Sequence, residues 1–182
     1  EGNTISESFN YDGLENQMEG KHRPGHFDGV GTIVKRLFEI VQPNKAYFGE
    51  KDFQQLQIVK KLVSKYKIPV DVIGCPIHRE ANGLAMSSRN ERLSESAREK
   101  AAIIYQILNS AKEIFQTNSA EETIKFVENE FKKYSEFELE YFEIADEATL
   151  LPVSEKKSNK KYRGFIAIFI ENIRLIDNIS LN

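Results

Sequence analysis

The chain has 182 residues, 40% of them hydrophobic and 29% charged, with a net charge of -3 and an isoelectric point near 5.8. This is ordinary globular composition, with enough chain to bury a core in one domain or two small ones, and its interspersed charges argue against a nucleic-acid backbone as partner. A single cysteine, Cys75, excludes an intrachain disulfide and fits a reducing, cytoplasmic setting, while the longest apolar run, residues 165–170, is far too short to cross a membrane.

Residues 1–16 are polar, with an extended piece expected at 8–11. With no initiator methionine and no charged-then-apolar leader, the chain reads as one cut from something longer. Pro24 and Gly25 then force a turn, and Val30, Ile33, Val34, Leu37, Phe38 and Val41 predict an amphipathic helix that begins after His26 and stops at Pro43. Arg23 and His26 stand at the entry to that helix, where an anion is welcome. The alternative for His26 is a turn histidine bonded to backbone.

The stretch from 46 to 63 organises the rest. Residues 45–48 read as a short buried strand that stops at Gly49, and Phe53, Leu56, Val59 and Val63 recur at helical spacing immediately after it. Glu50, Lys51, Asp52, Gln54 and Gln55 crowd this βα turn, the place where a parallel sheet presents its ligand crevice and a helix its unpaired N–H groups. Lys51 can meet a phosphate there; Glu50 and Asp52 also read as ordinary capping and macrodipole complementation.

A second strand is expected at 70–74, making a parallel pair. Two strands cannot cover both faces of a parallel sheet, so further strands are expected upstream, in another chain or in the first residues. Residues 76–90 are irregular, with Gly83 permitting a sharp turn, and Ser87, Ser88, Arg89 and Asn90 put hydroxyls, a guanidinium and an amide in one run that can wrap phosphate oxygens. The other reading of that run is a flexible surface loop leading to a helix cap.

One helix is expected to start at Leu93 and Ser94, with Ser96 and Glu99 at capping-box spacing, and to run to about Phe115. Another is expected at 120–134. The remainder reads as an antiparallel sheet: Phe137, Leu139 and Tyr141 alternating with acids, a buried run at 164–170, and a last strand from Ile173. Lysines between 155 and 161 read as a solvated hairpin loop, and Asp146 and Glu147 as turn residues. The fold class is therefore α/β plus α+β: a partial Rossmann-like parallel unit, residues 1–83, followed by a small lid of helices packed on an antiparallel sheet, residues 84–182. Two phosphate-friendly segments point to a nucleotide held between a sheet edge and a movable lid.

The runs RPGHFDGV (23–30), FGEKDFQQL (48–56), REANGLAMSSRN (79–90) and RLIDN (174–178) resemble, in order and spacing, those of the pantothenate synthetase family, the pantoate-beta-alanine ligases. The resemblance implies membership of the nucleotidyltransferase superfamily, a Rossmann domain with a C-terminal lid, homodimers, and small-molecule substrates: pantoate, β-alanine and ATP with Mg2+. It further implies that pantoate attacks the α-phosphate to give pantoyl adenylate, from which β-alanine displaces AMP. By the same resemblance Gly49, Glu50, Lys51 and Asp52 contact ATP and Gln55 holds pantoate. The backbone at His78 meets adenine, Met86, Ser87, Ser88 and Arg89 form the phosphate loop, and Arg23 and His26 lie on the pantoate and β-alanine side. The family's H-x-G-H motif is not in the chain: Gly25 and His26 resemble its tail, but position 23 is arginine and His22 is one place off. The chain accordingly reads as a C-terminal portion, weakly active or inactive alone. The alternatives are a non-catalytic oligomerising module and another adenylyl-transferring enzyme of the superfamily.

Overall fold

In a computed structural model, residues 6–182 are described, and the chain divides into two compact units, Glu1–Pro76 and Ile77–Asn182. The sequence boundary at 83/84 lies inside the second of these, because Arg79 is tied within that unit to Asp177 and stacks on Tyr105.

The first unit is a βαβ element with a helical lead-in. Helix α1 (Met18–His22) is followed by α2 (His26–Val41), strand β1 (Lys45–Gly49), a 3-10 turn (Glu50–Asp52), α3 (Phe53–Tyr66) and β2 (Asp71–Cys75). The strands pair in parallel, from Lys45 opposite Asp71 to Gly49 opposite Cys75. Both long helices end on a left-handed residue, Gln42 or Lys67, whose N–H bonds back to Phe38 or Val63, and Pro43 then bars continuation of α2. Phe38, Val59 and Val70 form the buried cluster between helices and sheet. Residues 8–11 form no strand; they are pinned instead to α2, with Phe9 N–H donating to Asp28 and the buried Tyr11 hydroxyl donating to the Phe27 carbonyl.

Helix α2 buries only part of the face its apolar residues mark: Phe38 is buried and Val30 and Val34 pack against the same cluster. Phe27, Gly31, Thr32 and Phe38 are buried, whereas Ile33, Leu37, Ile40 and Val41 are 52–73% exposed. The lead-in segment, held by hydrogen bonds to Asp28, Thr32 and Phe27, selects the buried side.

The second unit packs helices on an antiparallel sheet of order β3 (Phe137–Asp146), β4 (Tyr162–Ile170), β5 (Ile173–Ser180). The single helix expected from Leu93 to about Phe115 is in fact two, α4 (Glu95–Lys100) and α5 (Ile103–Thr117). Ala102 and Ile104 N–H groups bond three residues back, to Glu99 and Ala101, so a tight turn interrupts the ladder. The cap of α4 is Ser94, whose hydroxyl oxygen accepts from Ala97 N–H, rather than Ser96, which lies inside the helix. Helix α6 (Ala120–Phe131) begins with a full capping box of Ser119 and Glu122.

Strand β3 departs from simple alternation. Leu139 pairs with Ile168 and Tyr141 with Ala167, leaving Glu140 as a bulge, so Phe142 and Ile144 are buried rather than Tyr141 and Glu143. Asp146, expected as a turn residue, is instead the last residue of β3, and its carboxylate fixes the turn that follows by accepting from the N–H groups of Ala148 and Thr149.

Candidate functional site

The predicted site residues fall into two groups, one in each unit. In the first unit, Gly49 leaves the strand in an extended conformation and Glu50, Lys51 and Asp52 form one 3-10 turn leading into α3. Glu50, Lys51 and Gln55 are half-buried and Asp52 is exposed. Asp52 occupies the N-cap position of α3 but makes no side-chain cap, so simple helix capping does not account for it.

Next to this turn stands Gln54, a residue to which the sequence pattern assigns no role of its own. Gln54 is 4% exposed, and its amide donates to the carbonyls of Leu14 (2.9 Å) and Gln17 (2.7 Å) while accepting from Glu19 N–H (3.1 Å). One side chain thus binds the start of α3 to the segment before α2. A signal existed: Gln54 lies four residues before Ile58 and eight before Leu62, on a face that is otherwise apolar.

Arg23 and His26 come together at the start of α2. Gly25 between them is left-handed (φ 76°), which lets the Arg23 guanidinium turn back to within 3.2 Å of His26 Nε2. With arginine donating, Nε2 is the acceptor and the ring is neutral with its proton on Nδ1. Burial, and then the Arg23 charge, push the His26 pKa down, while Glu19 and Asp52 pull it the other way. His26 therefore has a side-chain partner rather than the backbone one, and it senses the carboxylate of the Lys51 turn.

In the second unit, the backbone from His78 to Met86 forms a small hairpin. Met86 N–H donates to the His78 carbonyl (3.0 Å), Arg79 bridges Ala85, and Glu80 N–H donates to Leu84 (2.8 Å). Gly83 makes the turn with φ 94°, and a Cβ there would stand 2.8 Å from the Tyr105 ring. The His78 carbonyl is thus already engaged within the hairpin. Beyond it Met86, Ser88 and Arg89 are exposed, and the Ser87 hydroxyl oxygen accepts from Arg89 N–H (3.2 Å) at the head of the 3-10 helix Ser88–Arg92.

Arg79 anchors the hairpin. Its guanidinium forms a two-pronged pair with Asp177 of β5 (2.7 and 3.0 Å), donates to the Gly83 carbonyl and lies 3.7 Å from the Tyr105 ring centre. An acid following the apolar pair Leu175 and Ile176 in β5 was the available hint of such a partner. Within each unit the structure thus gathers its share of the expected residues: Arg23, His26 and the Lys51 turn in one, His78 and residues 86–89 in the other. Among the described residues no group of three or more His, Cys, Asp or Glu is arranged to hold a metal ion, and no helix is long and apolar enough to cross a membrane.

The profile of the Pantoate-beta-alanine ligase family matches residues 4–180. The chain belongs to the pantoate-beta-alanine ligase family. It is 67% identical to the pantothenate synthetase of Flavobacterium psychrophilum, over 100% of this chain and 64% of that protein. Among solved structures it is similar to pantothenate synthetase from Thermus thermophilus, with 43% identity and a TM-score of 0.85 over 92% of this chain and 60% of that one. The ligase of Francisella tularensis, complexed with beta-gamma ATP and beta-alanine, matches with 36% identity and a TM-score of 0.68 over 92% of this chain and 55% of that one. The chain therefore spans roughly three fifths of the length of the relatives it matches.

Proposed function

We propose that the protein carrying this chain is the ATP-dependent ligase that joins pantoate to β-alanine. The observation that carries this reading is the 67% identity to a pantothenate synthetase along the whole chain. The ligands named for the Francisella tularensis ligase, beta-gamma ATP and beta-alanine, agree with two of the substrates.

In this reading a pantoate carboxylate oxygen bonds to the α-phosphorus of ATP as the bond to pyrophosphate breaks. The amine of β-alanine then bonds to the acyl carbon, AMP leaves, and the amine loses a proton. Such displacements need little covalent work from protein groups, so catalysis rests on placement and on charge compensation. Lys51 compensates charge on the phosphates beside Gly49, Glu50 and Asp52, and Gln55, in the first turn of α3, donates to pantoate. Met86, Ser87, Ser88 and Arg89, with the His78 backbone, bind the nucleotide, and Arg23 and His26 serve the pantoate and β-alanine side. Mg2+ enters as Mg-ATP, held chiefly by the phosphates, as this ion ordinarily is in nucleotide sites. We assign the enzyme to the cytoplasm as a homodimer, the dimer being supported by the exposed apolar side chains of α2.

Pyrophosphate release from ATP and pantoate tests the reading. Lys51→Ala in the full-length protein is expected to slow pantoyl adenylate formation by roughly a hundredfold or more, the scale of losing one charge-stabilising contact. An unchanged rate removes Lys51 from the mechanism. The 182 residues assayed alone are expected to be weak or inactive, because placement by distant groups is the main source of acceleration.

A further inference from the structure

We propose that Glu80 is a positioning residue for the nucleotide: its carboxylate, by holding Asn90 and Arg98 at once, presets the shape of the exposed 86–89 loop. The proposal rests on the reading of that loop as the phosphate-binding one.

The loop has a buried base and an exposed tip. Ala85 and Asn90, at its two ends, are 3% and 2% exposed, while Met86, Ser88 and Arg89 face solvent. Asn90 closes the base, its amide donating to the Ala85 carbonyl five residues earlier (3.0 Å) and to Glu80 Oε1 (2.8 Å). The other Glu80 oxygen accepts from Arg98 Nε of α4 (2.9 Å). The amide orientation is decided by this arrangement, since a flipped Asn90 would set its oxygen against the carboxylate. The Glu80 carboxyl is held below its ordinary range by the Arg98 hydrogen bond first and the Asn90 one in addition, so it is an anion at neutral pH.

Glu80 itself belongs to the hairpin that Arg79 fastens to β5, and Arg98 belongs to α4, so the carboxylate ties the loop base to two separate elements of the unit. A loop fixed in this way presents its hydroxyls and guanidinium without first having to be ordered, and ligand binding is stronger by the ordering cost avoided. A direct field effect has the opposite sign: deleting an anion near a phosphate site would by itself favour a polyanion.

The test compares Glu80→Ala and Arg98→Met with the unaltered full-length protein in steady-state pyrophosphate release, alongside thermal melting. The expected result is a KM for ATP raised about tenfold by Glu80→Ala and severalfold by Arg98→Met, with the KM for β-alanine within about twofold of its original value. An ATP KM that is unchanged or lowered in a folded Glu80→Ala protein overturns the proposal, even if the melting temperature falls. Should Glu80→Ala not fold, Arg98→Met decides alone, its side chain being surface-accessible, and an unchanged ATP KM there is equally fatal. If the unaltered protein releases no pyrophosphate from ATP and pantoate, the ligase reading fails and this proposal falls with it; if it does and only the variants disappoint, the ligase reading stands.

Discussion

In the first unit β1 alternates exposed with half-buried residues and β2 has no buried position, whereas in the second unit β4 is buried at all but one of its nine residues. Parallel strands are ordinarily covered on both faces, and within this chain, which spans about three fifths of its relatives' length, β1 and β2 are covered only in part. In the same unit the lead-in is fixed to α2 and α3 by side chains bonded to backbone: Gln54 to three groups, Asp28 to Phe9, Thr32 to Glu7, and Tyr11 to Phe27. The second unit relies on a continuous apolar core of α5, α6 and the sheet, with polar ties such as Arg79 to Asp177 added at the edge. Polar ties dictate geometry strongly and contribute modestly to stability, while apolar burial does the reverse. The first unit's apolar burial lies in its helices and lead-in, where Tyr11, Met18, Leu56, Ile58 and Leu62 are fully buried, so the contrast is sharpest between the two sheets.

The sharpest way to break this contrast is hydrogen exchange. Amides of β4 are expected to exchange at least about a hundredfold more slowly than those of β1, because opening free energy follows local burial. Equal protection in the two sheets would refute the distinction.

Two substitutions then compare single ties. Arg79→Ala strands the Asp177 carboxylate, whose side chain is 4% exposed, and is expected to cost about 3–5 kcal/mol in chemical denaturation. Gln54→Ala leaves the carbonyls of Leu14 and Gln17 and the Glu19 N–H without this partner, at a cost of about 1–3 kcal/mol, with damage confined to the first unit. A Gln54→Ala protein as stable as the original would show that the amide only follows the backbone.

The smallest effect concerns His26. Its folded-state pKa lies below the ordinary 6.5, so the neutral ring stabilises the fold; that contribution is complete above pH 6.5 and is lost as pH falls through the depressed value. Nitrogen NMR should find Nε2 unprotonated at neutral pH, and Arg23→Ala should raise the titration midpoint. A midpoint unmoved by that change would mean the guanidinium does not act on the ring.

Much of this architecture could be read from residue patterns. Although β1, expected to be buried, has no buried residue, the strand, turn and helix around Lys51 were legible because Gly49 and the Phe53, Leu56, Val59 spacing act locally. So was the antiparallel sheet. The side of α2 covered by the lead-in was not, because it is chosen by Phe9 and Tyr11 from outside the helix, and neither was the break at Ala101 and Ala102, two good helix formers. The candidate site divides in the same way. Charged and hydroxyl residues at turns announced themselves, while Glu80 did not, and Gln54 and Asn90 stood out only as polar turn residues, not for what they hold: Asn90 is buried and its amide serves Ala85 and Glu80.

The bulge in β3 has its own consequence. Because Leu139 and Tyr141 meet consecutive partners on β4, removing Glu140 would leave every other pairing intact and restore a strict in-and-out alternation through Phe142 and Ile144. The loss would fall on the carboxylate that receives Arg174 from β5. Position 140 is thus a spare link in the strand, the place where this domain can gain or lose a residue without rethreading its core.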